Sequence, residues 1–373
     1  MTKRLKAAII GGGIGGLSTA LALHRTGANV RVYERAHRLG DIGAGVSLQH
    51  NSQRVLDRLG VGQRVGRLGS LLPEFQFFTP DGTVVSHEIY SVGAWPLALR
   101  RADLVAALAS ALPPGTVCTG HRCVLFGQDE DSAVVGFDNG ALVHADVVIG
   151  ADGIHSTLQR YVAEPADPVF SGMVAYRGLI PAARLHNWPA GLLTWGGEGR
   201  HLLTYPVRAG QLVNYVGFVP AGDEMLGSWS APGDPAVLAA EFADWAPETA
   251  HLLSRVESTF RWGLYDRDPL PRWTTGRLAL LGDAAHPMLP HLGQGANQAI
   301  EDALALAILL RGVSAADVPD ALMRYQTLRR EHTARVQHDA RVNGHLFDSA
   351  QPVSLNHSWV RDYDVEKEAR AIA

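Results

Sequence analysis

The sequence predicts an α/β fold: a largely parallel sheet with helices, an inserted domain built on an antiparallel sheet, and a C-terminal helix. Three observations favour it. Short apolar runs that end in a turn or an acid, namely LKAAII, NVRVYE and ADVVIGAD, are typical of parallel strands buried on both faces. Between positions 169 and 262, alternating segments rich in aromatic and β-branched residues indicate antiparallel strands. From Pro319 to Phe347 an arginine-rich pattern is typical of a helix.

Length and composition narrow the class of protein. At 373 residues the chain exceeds the usual size of one compact core, so we expect two packed domains. Its 46% hydrophobic and 19% charged residues suit a globular protein. A net charge of -4, spread over both signs, gives neither a basic face for nucleic acid nor a polybasic membrane anchor. The expected partner is a small molecule.

The cysteines and histidines predict neither a disulfide framework nor a metal site. Cys118 and Cys123 alone cannot build either, which favours a reducing cytoplasm. His332, His338 and His345 lie among arginines, and we expect a solvated polar face there, with metal binding as the alternative. No stretch is long and apolar enough to span a bilayer. We therefore expect a cytoplasmic monomer or homodimer without metal.

A glycine-rich turn between the first strand and the first helix predicts a dinucleotide site. The segment AAIIGGGIGGLSTA places Gly11, Gly13 and Gly16 there, and Glu34 ends the next strand eighteen residues beyond Gly16. In this Rossmann-like arrangement the first glycine makes the turn, the second lets a pyrophosphate approach the backbone, and the third lets helix and strand pack. The Glu34 carboxylate accepts ribose hydroxyls and repels a 2′-phosphate, which favours NAD or FAD in this site over NADP.

The segment LLGDAAHPMLPHLGQGANQAIEDA, positions 280 to 303, decides between NAD and FAD. Asp283 at the tip of a strand can accept a ribityl hydroxyl, a clamp that a nicotinamide dinucleotide does not need. Gly293 and Gly295 precede a helix whose free N–H groups suit the electron-rich edge of a flavin. The alternative is that these residues only cap a turn and a helix, but capping needs neither two glycines nor the HPMLPH spacer. We expect FAD to be non-covalent, because no Cys or His stands in a context that suggests attachment.

In a third motif, VVIGADGIHS, a predicted strand is followed by Asp152, Gly153 and Ser156. With GGGIGG, Glu34 and GDAAHPMLPHLGQGANQAIEDA, it resembles the three fingerprints of the flavin-dependent aromatic hydroxylases. These are single-component monooxygenases of the p-hydroxybenzoate hydroxylase fold, and the salicylate-hydroxylase-like branch is the most similar. The resemblance implies a Rossmann-like FAD-binding domain with an inserted antiparallel-sheet substrate domain and a C-terminal helix.

The resemblance also implies roles for single residues. Arg101 contacts the phosphate side of the flavin, Asp152 touches both FAD and the nicotinamide donor, and Asp283 binds the ribityl chain. The segment GAGVSLQHN carries Ser47 and His50 where the family has Gln and Pro, and both changes report on the substrate. The FAD ligands implied in this way are Gly11, Gly13, Ile14, Gly15, Gly16, Glu34, Arg35, Arg101, Val124, Asp152, Gly153, Asp283, Pro290, Gly293, Gly295, Ala296 and Asn297.

Only one Rossmann fingerprint is present, so the nicotinamide donor has no domain of its own. The resemblance implies that NADH or NADPH visits and reduces the flavin, and that dioxygen then forms a flavin hydroperoxide which hydroxylates a small electron-rich aromatic or heteroaromatic substrate. An FAD-dependent dehydrogenase or oxidase without oxygen insertion is the alternative. A halogenase is disfavoured because the lysines, Lys3, Lys6 and Lys367, lie at the termini. A non-catalytic flavoprotein is a third alternative.

The inserted sheet has to supply the substrate-binding groups. If HLLTYPVRAGQLVNYVGFV is a hairpin that turns at Ala209 and Gly210, Thr204 pairs with Tyr215. We predict that Tyr215 faces the substrate and acts on its oxygen, with a core tyrosine as the alternative reading. Weaker catalytic candidates are His50 and His201.

The remaining predictions concern substrate ligands and domain boundaries. The predicted substrate ligands are Ser47, Thr204, Tyr215 and Pro290. The first part of the FAD-binding domain spans 1–168, with about 70–98 contributing to the substrate domain. That domain spans 169–270, and 271–373 forms the second part of the FAD-binding domain and the C-terminal helical region.

Overall fold

The computed structural model describes residues 4–40, 44–164, 167–221, 230–349 and 357–373. Its strands are β1 Lys6–Ile10, β2 Asn29–Tyr33, β3 Gly45–Leu48, β4 Ser70–Leu71, β5 Glu74–Phe78, β6 Val84–Ile89, β7 Leu97–Arg100, β8 Val117–Cys118, β9 Cys123–Gln128, β10 Ala133–Phe137, β11 Leu142–Ala145, β12 Val147–Gly150, β13 Val169–Pro181, β14 Leu192–Gly197, β15 Arg200–Val207, β16 Leu212–Pro220, β17 Ser230–Gly233, β18 Thr259–Asp266, β19 Thr274–Thr275 and β20 Leu278–Leu280.

The helices lie between and after these strands. They are α1 Ile14–Arg25, α2 His50–Arg58, α3 Gly62–Leu68, α4 Arg101–Ala109, α5 Pro235–Glu241, α6 Pro247–Leu253, α7 Gly295–Leu309, α8 Val318–Asp348, α9 Ser358–Arg361 and α10 Val365–Ala371. Within the described ranges, no helix combines the length and the apolar character needed to cross a membrane.

A six-stranded sheet forms the core of the α/β part, in the order β19-β20-β12-β1-β2-β8. The strands from β20 to β8 run parallel, and β19 is antiparallel to β20. Residues such as Ile9, Val32 and Val148 are buried, as expected for strands covered on both faces. The parallel strands predicted from LKAAII, NVRVYE and ADVVIGAD are therefore confirmed.

An eight-stranded sheet forms the second layer, in the order β17-β18-β13-β16-β15-β14-β5-β6. Its pairs are antiparallel except for β14 with β5, which is parallel. Helices α5 and α6 cover one face, where Leu238, Phe242 and Trp245 form an apolar cluster with side chains of the sheet. The other face is turned toward the α/β part, so this sheet is one wall of the space between the two layers.

A cluster of buried charges fastens α7 to α8 and to the loop after β20. The Arg329 guanidinium lies 2.8 Å from a carboxylate oxygen of Asp302 and 2.8 Å from one of Glu301. The second oxygen of Asp302 accepts the Gly282 N–H at 3.1 Å and lies 2.6 Å from Nε2 of His286. Burial opposes ionisation of Asp302, but the charges of His286 and Arg329 outweigh it and lower the pKa of Asp302 to about 2.

The C-terminal helices pack on the same region. The ring of Tyr363 stacks on His332 of α8, with ring centroids 3.9 Å apart, and Trp359 contacts the same imidazole edge-on. Burial lowers the pKa of His332 to about 3. The predicted solvated face is therefore wrong for His332, because the chain beyond α8 folds back and covers it.

We expect Asp302→Asn to lower the free energy of unfolding by about 3–5 kcal/mol, since it leaves the buried Arg329 guanidinium partly uncompensated. Urea denaturation followed by circular dichroism measures the change. The control is Glu331→Gln on an exposed position of α8, which should change stability by less than about 0.5 kcal/mol. Equal stability of the two variants would contradict a structural role for the cluster.

Candidate active site

A cavity of about 440 Å³ lies between the α/β part and the eight-stranded sheet. Its floor is formed by the turns that lead into α1 and α7, and its wall by β13, β15 and β16. Strand β3 and the loop between β20 and α7 close two further sides. One space is thus bordered by both glycine-rich motifs and by the antiparallel sheet.

The turn from β1 to α1 shows why its three glycines are needed. Gly11 has φ +111°, and a Cβ on it would lie 2.2 Å from the carbonyl oxygen of Ala151. A Cβ on Gly16 would lie 1.9 Å from the carbonyl oxygen of Gly11. Gly13 differs, because a Cβ there meets no atom within 4 Å and the residue lines the cavity. Packing therefore requires Gly11 and Gly16, whereas Gly13 leaves backbone open to a ligand.

Two helix N-termini face this cavity. Gly13 to Gly15 line it at the start of α1, and Gln294 to Ala296 line it at the start of α7. Neither helix has an acidic residue in its first turn or a side chain that caps it. The free N–H groups and the positive ends of both helix dipoles are thus available to an anionic or electron-rich ligand.

The loop between β20 and α7 brings a carboxylate to the same space. Asp283 lines the cavity and is exposed to it. Gly293, with φ +63°, takes the left-handed conformation that turns the chain into α7. The Asn297 side chain is fully buried and bonds to protein instead: it accepts the N–H of Gln49 at 2.8 Å and donates to the Ser47 carbonyl at 3.0 Å. The Asn297 side chain is therefore not available to a cofactor, and the role of its backbone stays a prediction.

Residues predicted for the adenosine half of FAD lie outside the cavity. Both carboxylate oxygens of Glu34 accept backbone N–H groups, from Gly12 at 2.7 Å and from Ala36 at 2.8 Å. Arg35 is exposed. Val124 is also exposed, and its carbonyl accepts a bond from Arg160. Glu34, Arg35 and Val124 stay predictions.

Asp152 follows β12, between the cavity-lining residues Ala151 and Gly153. One of its carboxylate oxygens accepts the N–H of Thr157 at 2.7 Å, and the other is buried without a hydrogen-bond partner among the described residues. Burial raises the pKa of Asp152. An unpaired buried oxygen is costly, so this carboxyl suits a ligand group that donates to it.

Three further predicted ligands line the cavity. Arg101 begins α4 there, Ser47 lies on β3, and Pro290 lies in the loop before α7. His50 does not line it: this residue begins α2, directly after the β3 segment. Gln49, directly before His50, does line the cavity, and the catalytic role of His50 stays a prediction.

The prediction for Tyr215 is also wrong, although its strand pairing is as expected. Thr204 does pair with Tyr215. The Tyr215 side chain is fully buried on the face covered by α5 and α6, and its hydroxyl donates to the Ser258 carbonyl at 3.1 Å. The Thr204 hydroxyl accepts Nε1–H of Trp188 at 3.2 Å. Alternation groups residues by face, but it does not say which face meets the cavity.

The residues that the sequence analysis missed lie on the opposite face of the same strands. Arg177 of β13, Leu203 and Tyr205 of β15, and Val216 and Phe218 of β16 line the cavity. They are the neighbours in sequence of the residues on the Thr204 and Tyr215 face. The sequence signal that could have found them is the same alternation, with the other face of the strands assigned to the cavity.

Arg177 and Tyr205 supply the polar groups of this wall. Arg177 donates from one terminal nitrogen to the Gly45 carbonyl at 3.3 Å, and its buried Nε has no partner among the described residues. Burial lowers the pKa of Arg177 and raises the pKa of Tyr205 to about 12. The Tyr205 hydroxyl makes no hydrogen bond within the described ranges. A cation and a protonated phenol thus face the cavity with bonding capacity left.

These features fit the FAD that the sequence implies. The open backbone at Gly13, the two uncapped helix N-termini and the exposed Asp283 carboxylate suit its pyrophosphate, flavin and ribityl parts. The polar side chains of the antiparallel sheet that face the cavity, Arg177 and Tyr205, are then available to a second, smaller ligand.

Comparison with known proteins agrees with this reading. The model of the family described as "FAD binding domain" matches residues 4–340. A 3-amino-4-hydroxybenzoate 2-monooxygenase of Streptomyces platensis is 39% identical, with 93% of this chain and 89% of the relative covered. A salicylate hydroxylase of Pseudomonas putida is 35% identical over 94% of this chain and 87% of its own length. A solved salicylate hydroxylase substrate complex is 30% identical and superimposes with a TM-score of 0.88, covering 99% of this chain and 98% of the other.

We expect Gly13→Ala to weaken FAD binding at least tenfold, or about 1.4 kcal/mol, because the new methyl projects into the cavity. Fluorescence titration of the apoprotein with FAD measures the affinity. Gly66→Ala is the matched control, since a Cβ there also meets no atom within 4 Å, but Gly66 lies on α3 and does not line the cavity. Equal FAD affinity in both variants would remove Gly13 from the cofactor site.

Tyr215→Phe should leave FAD content and the coupling of NADH oxidation to hydroxylation unchanged. It should lower the free energy of unfolding by about 0.5–1.5 kcal/mol, the usual contribution of one hydrogen bond. Flavin absorbance, peroxide release and urea denaturation measure the three quantities. A tenfold loss of hydroxylation at full FAD content would restore Tyr215 to the active site.

Proposed function

The chain belongs to the FAD-binding-domain family and is an FAD-dependent monooxygenase that hydroxylates an aromatic substrate with NAD(P)H and dioxygen, and we propose that this substrate is an aromatic acid with a ring hydroxyl. The observation that carries the proposal is the unpaired Arg177 cation in the cavity. The geometry of the sheet wall and the chemistry of the relatives' substrates both support it.

Arg177 remains charged despite the lowered pKa, because a guanidinium starts from a very high value. Its one hydrogen bond is to a carbonyl, and no carboxylate among the described residues pairs with it. A cation held this deeply without a counter-charge is unfavourable. A substrate carboxylate would compensate it through two parallel N–H bonds, the geometry that guanidinium groups favour.

The second substrate group is a hydroxyl. Because burial raises the pKa of Tyr205 to about 12, this phenol stays protonated at neutral pH and can donate to a substrate oxygen. His291 also lines the cavity, and burial lowers its pKa well below the ordinary value. A neutral imidazole can accept a proton. Tyr205 and His291 therefore suit a ring hydroxyl that loses its proton during the reaction.

The names of the relatives support the same class of substrate, an aromatic acid with a ring hydroxyl. One acts on 3-amino-4-hydroxybenzoate and another is a salicylate hydroxylase. Both compounds carry a carboxylate and a hydroxyl on one benzene ring. Arg177 supplies a cation that complements the carboxylate, and Tyr205 supplies a neutral hydrogen-bond donor that complements the ring hydroxyl.

For the cofactor, we propose that Gly13, Gly15, Glu34, Asp283 and the start of α7 hold FAD, with Arg101 and Asp152 beside it. When bound, FAD supplies the redox and oxygen-transfer chemistry. The protein orients the aromatic ring, keeps water out with Leu203, Val216 and Phe218, and handles the substrate proton.

Domain division and cellular setting are further proposals. The eight-stranded sheet takes its strands from 74–89 and 169–266, which supports a substrate domain of 169–270 with a contribution from about 70–98. Cys118 and Cys123 are free thiols, which supports a cytoplasmic enzyme. A monomer or homodimer stays a prediction.

We expect Arg177→Gln to remove the preference for a carboxylated ring. The probes are 3-amino-4-hydroxybenzoate and 2-aminophenol, the same ring without its carboxylate. In the variant the ratio of their kcat/KM values should fall by about 30- to 1,000-fold, or roughly 2–4 kcal/mol for a lost buried charge pair. Substrate-stimulated NADH oxidation measures both values.

The control for this prediction is Arg184→Gln. Arg184 is an exposed arginine paired with Glu257, and its loss should leave the ratio unchanged. The proposal fails if Arg177→Gln keeps the wild-type preference, or if no hydroxylated aromatic acid stimulates NADH oxidation in the wild-type enzyme.

A further inference from the structure

The cavity extends beyond the substrate wall into a section lined by apolar side chains. Phe75 of β5, Tyr90 after β6, Leu192 of β14 and Phe347 of α8 line it. Phe75 and Phe347 are buried in one cluster, and Tyr90 and Leu192 pack against that cluster. We call the space that these four residues line the outer section of the cavity.

Strand β14 makes the outer section continuous with the substrate wall. Leu192 and Thr194 both line the cavity and lie two positions apart on this strand. Leu192 pairs with Phe75 of the outer section, whereas Thr194 pairs with Leu203 of the substrate wall. Leu192 also packs against the cluster that contains Tyr205. A ligand in the outer section therefore has a continuous surface to follow inward.

An ion pair stands at the outer end of this section. A terminal nitrogen of Arg361 on α9 lies 3.0 Å from a carboxylate oxygen of Glu88 on β6, and both residues line the cavity. Glu88 lies opposite Phe75 in the ladder between β5 and β6, so the two side chains share a face. Because β6 is the edge strand of its sheet and the Glu88 side chain is 47% exposed, the outer section meets solvent at this pair.

The backbone that carries Arg361 is held on both sides. Before it, the ring of Trp359 lies under the guanidinium of Arg335 on α8, at 3.8 Å from the ring centre. After it, Arg54 of α2 donates to the Asp362 carbonyl at 3.2 Å. Exposed ion pairs contribute little stability, and exposed side chains change rotamer rapidly. Movement of the Arg361 side chain alone can therefore open the outer section.

Arginines stand at both ends of the path from solvent to the substrate wall. Arg177 lies at the inner end, and Arg361 lies at the outer end, 5.5 Å from the centre of the Tyr90 ring. Burial raises the pKa of Tyr90 to about 12, so this phenol stays neutral and does not repel an anion. Since a guanidinium binds different carboxylates in the same geometry, a substrate carboxylate can take the place of Glu88.

We propose that the aromatic acid enters the loaded enzyme through the outer section, and that its carboxylate binds Arg361 first and Arg177 last. Bound FAD fills the opposite part of the cavity, so the substrate needs a separate path. Glu88 holds Arg361 between substrate molecules and competes with the entering carboxylate. The passage rests on the proposed substrate class, because only an anionic substrate gains from Arg361.

Association kinetics of the oxidised holoenzyme test the passage without turnover. Stopped-flow flavin absorbance at several concentrations of 3-amino-4-hydroxybenzoate gives the association and dissociation rate constants. Arg361→Gln should lower the association rate constant about tenfold at low salt, the lower range of electrostatic steering. Glu88→Gln should raise it, because the competing carboxylate is removed. Both effects should fade near 1 M salt, where the Debye length is about 3 Å.

The sign of the two effects separates a passage from other roles. A merely structural role of the ion pair predicts that Arg361→Gln and Glu88→Gln change the rate in the same direction. A residue on the path changes association and dissociation by the same factor, so the Kd should stay constant. A changed Kd would instead make the outer section part of the final binding site and would overturn the passage.

Arg184→Gln and Glu257→Gln are the matched controls. These two residues form an exposed ion pair, and neither lines the cavity within the described part of the chain. They repeat the same changes of charge and should keep the wild-type rates. The neutral ligand 2-aminophenol should associate no more slowly with Arg361→Gln than with the wild type. Wild-type association of the acid with Arg361→Gln, or equal slowing in Arg184→Gln, would overturn the proposal.

A readout without substrate separates failure of the passage from failure of the substrate class. The thiol introduced by Leu192→Cys is modified with an anionic and with a neutral methanethiosulfonate, and peptide mass spectrometry distinguishes it from Cys118 and Cys123. The ratio of the anionic to the neutral rate should fall about tenfold with Arg361→Gln and rise with Glu88→Gln. An unchanged ratio would overturn the passage. If the wild-type enzyme binds no hydroxylated aromatic acid, the substrate class fails, and this ratio still decides the passage.

Discussion

The ion pair between Asp302 and Arg329 is the interaction on which the cofactor side of the cavity depends. It joins α7 to α8, and the second oxygen of Asp302 holds the loop that carries Asp283. The neighbouring Glu301 accepts a bond from Asn51 of α2 at 2.6 Å. A buried pair of this kind contributes little net stability compared with apolar packing, but removing one partner is costly. Its main effect is to fix the relative positions of these elements.

Helix α8 connects this cluster to the substrate side. Near its middle it contributes Arg329, and near its end it contributes Asn343 and Asp348, which contact His291 and His201. One helix thus supports both the loop that carries Asp283 and the pair of imidazoles His291 and His201. Precise placement of reacting groups depends on such support from behind the site.

The cavity carries buried polar groups that the stability of the fold does not require. Among the described residues, the buried Nε of Arg177 and one buried oxygen of Asp152 have no hydrogen-bond partner, an arrangement that packing alone does not favour. Polar groups of this kind are pre-arranged for charges that arrive with ligands, so less reorganisation is needed when they bind. The same reasoning explains why both helix N-termini at the cavity are uncapped.

The sequence by itself determined the features that depend on neighbours along the chain. The close approach of Gly16 to the Gly11 carbonyl lies within one short turn, and the pairing of Thr204 with Tyr215 follows from the length of the hairpin turn. The parallel strands follow from continuous apolar runs. The order of the three glycine-rich motifs indicated FAD and the hydroxylase family, because such motifs carry their chemistry within short segments.

Only the tertiary structure decided which face of the antiparallel sheet meets the cavity. Alternation places Tyr215 and Tyr205 on opposite faces of the sheet, and the packing of α5 and α6 covers the face of Tyr215 and leaves Tyr205 and Arg177 facing the cavity. His201 and Asp348 are likewise 147 positions apart in the chain. No local pattern brings them together, because their contact arises from the packing of α8 against the sheet, which is a property of the whole fold.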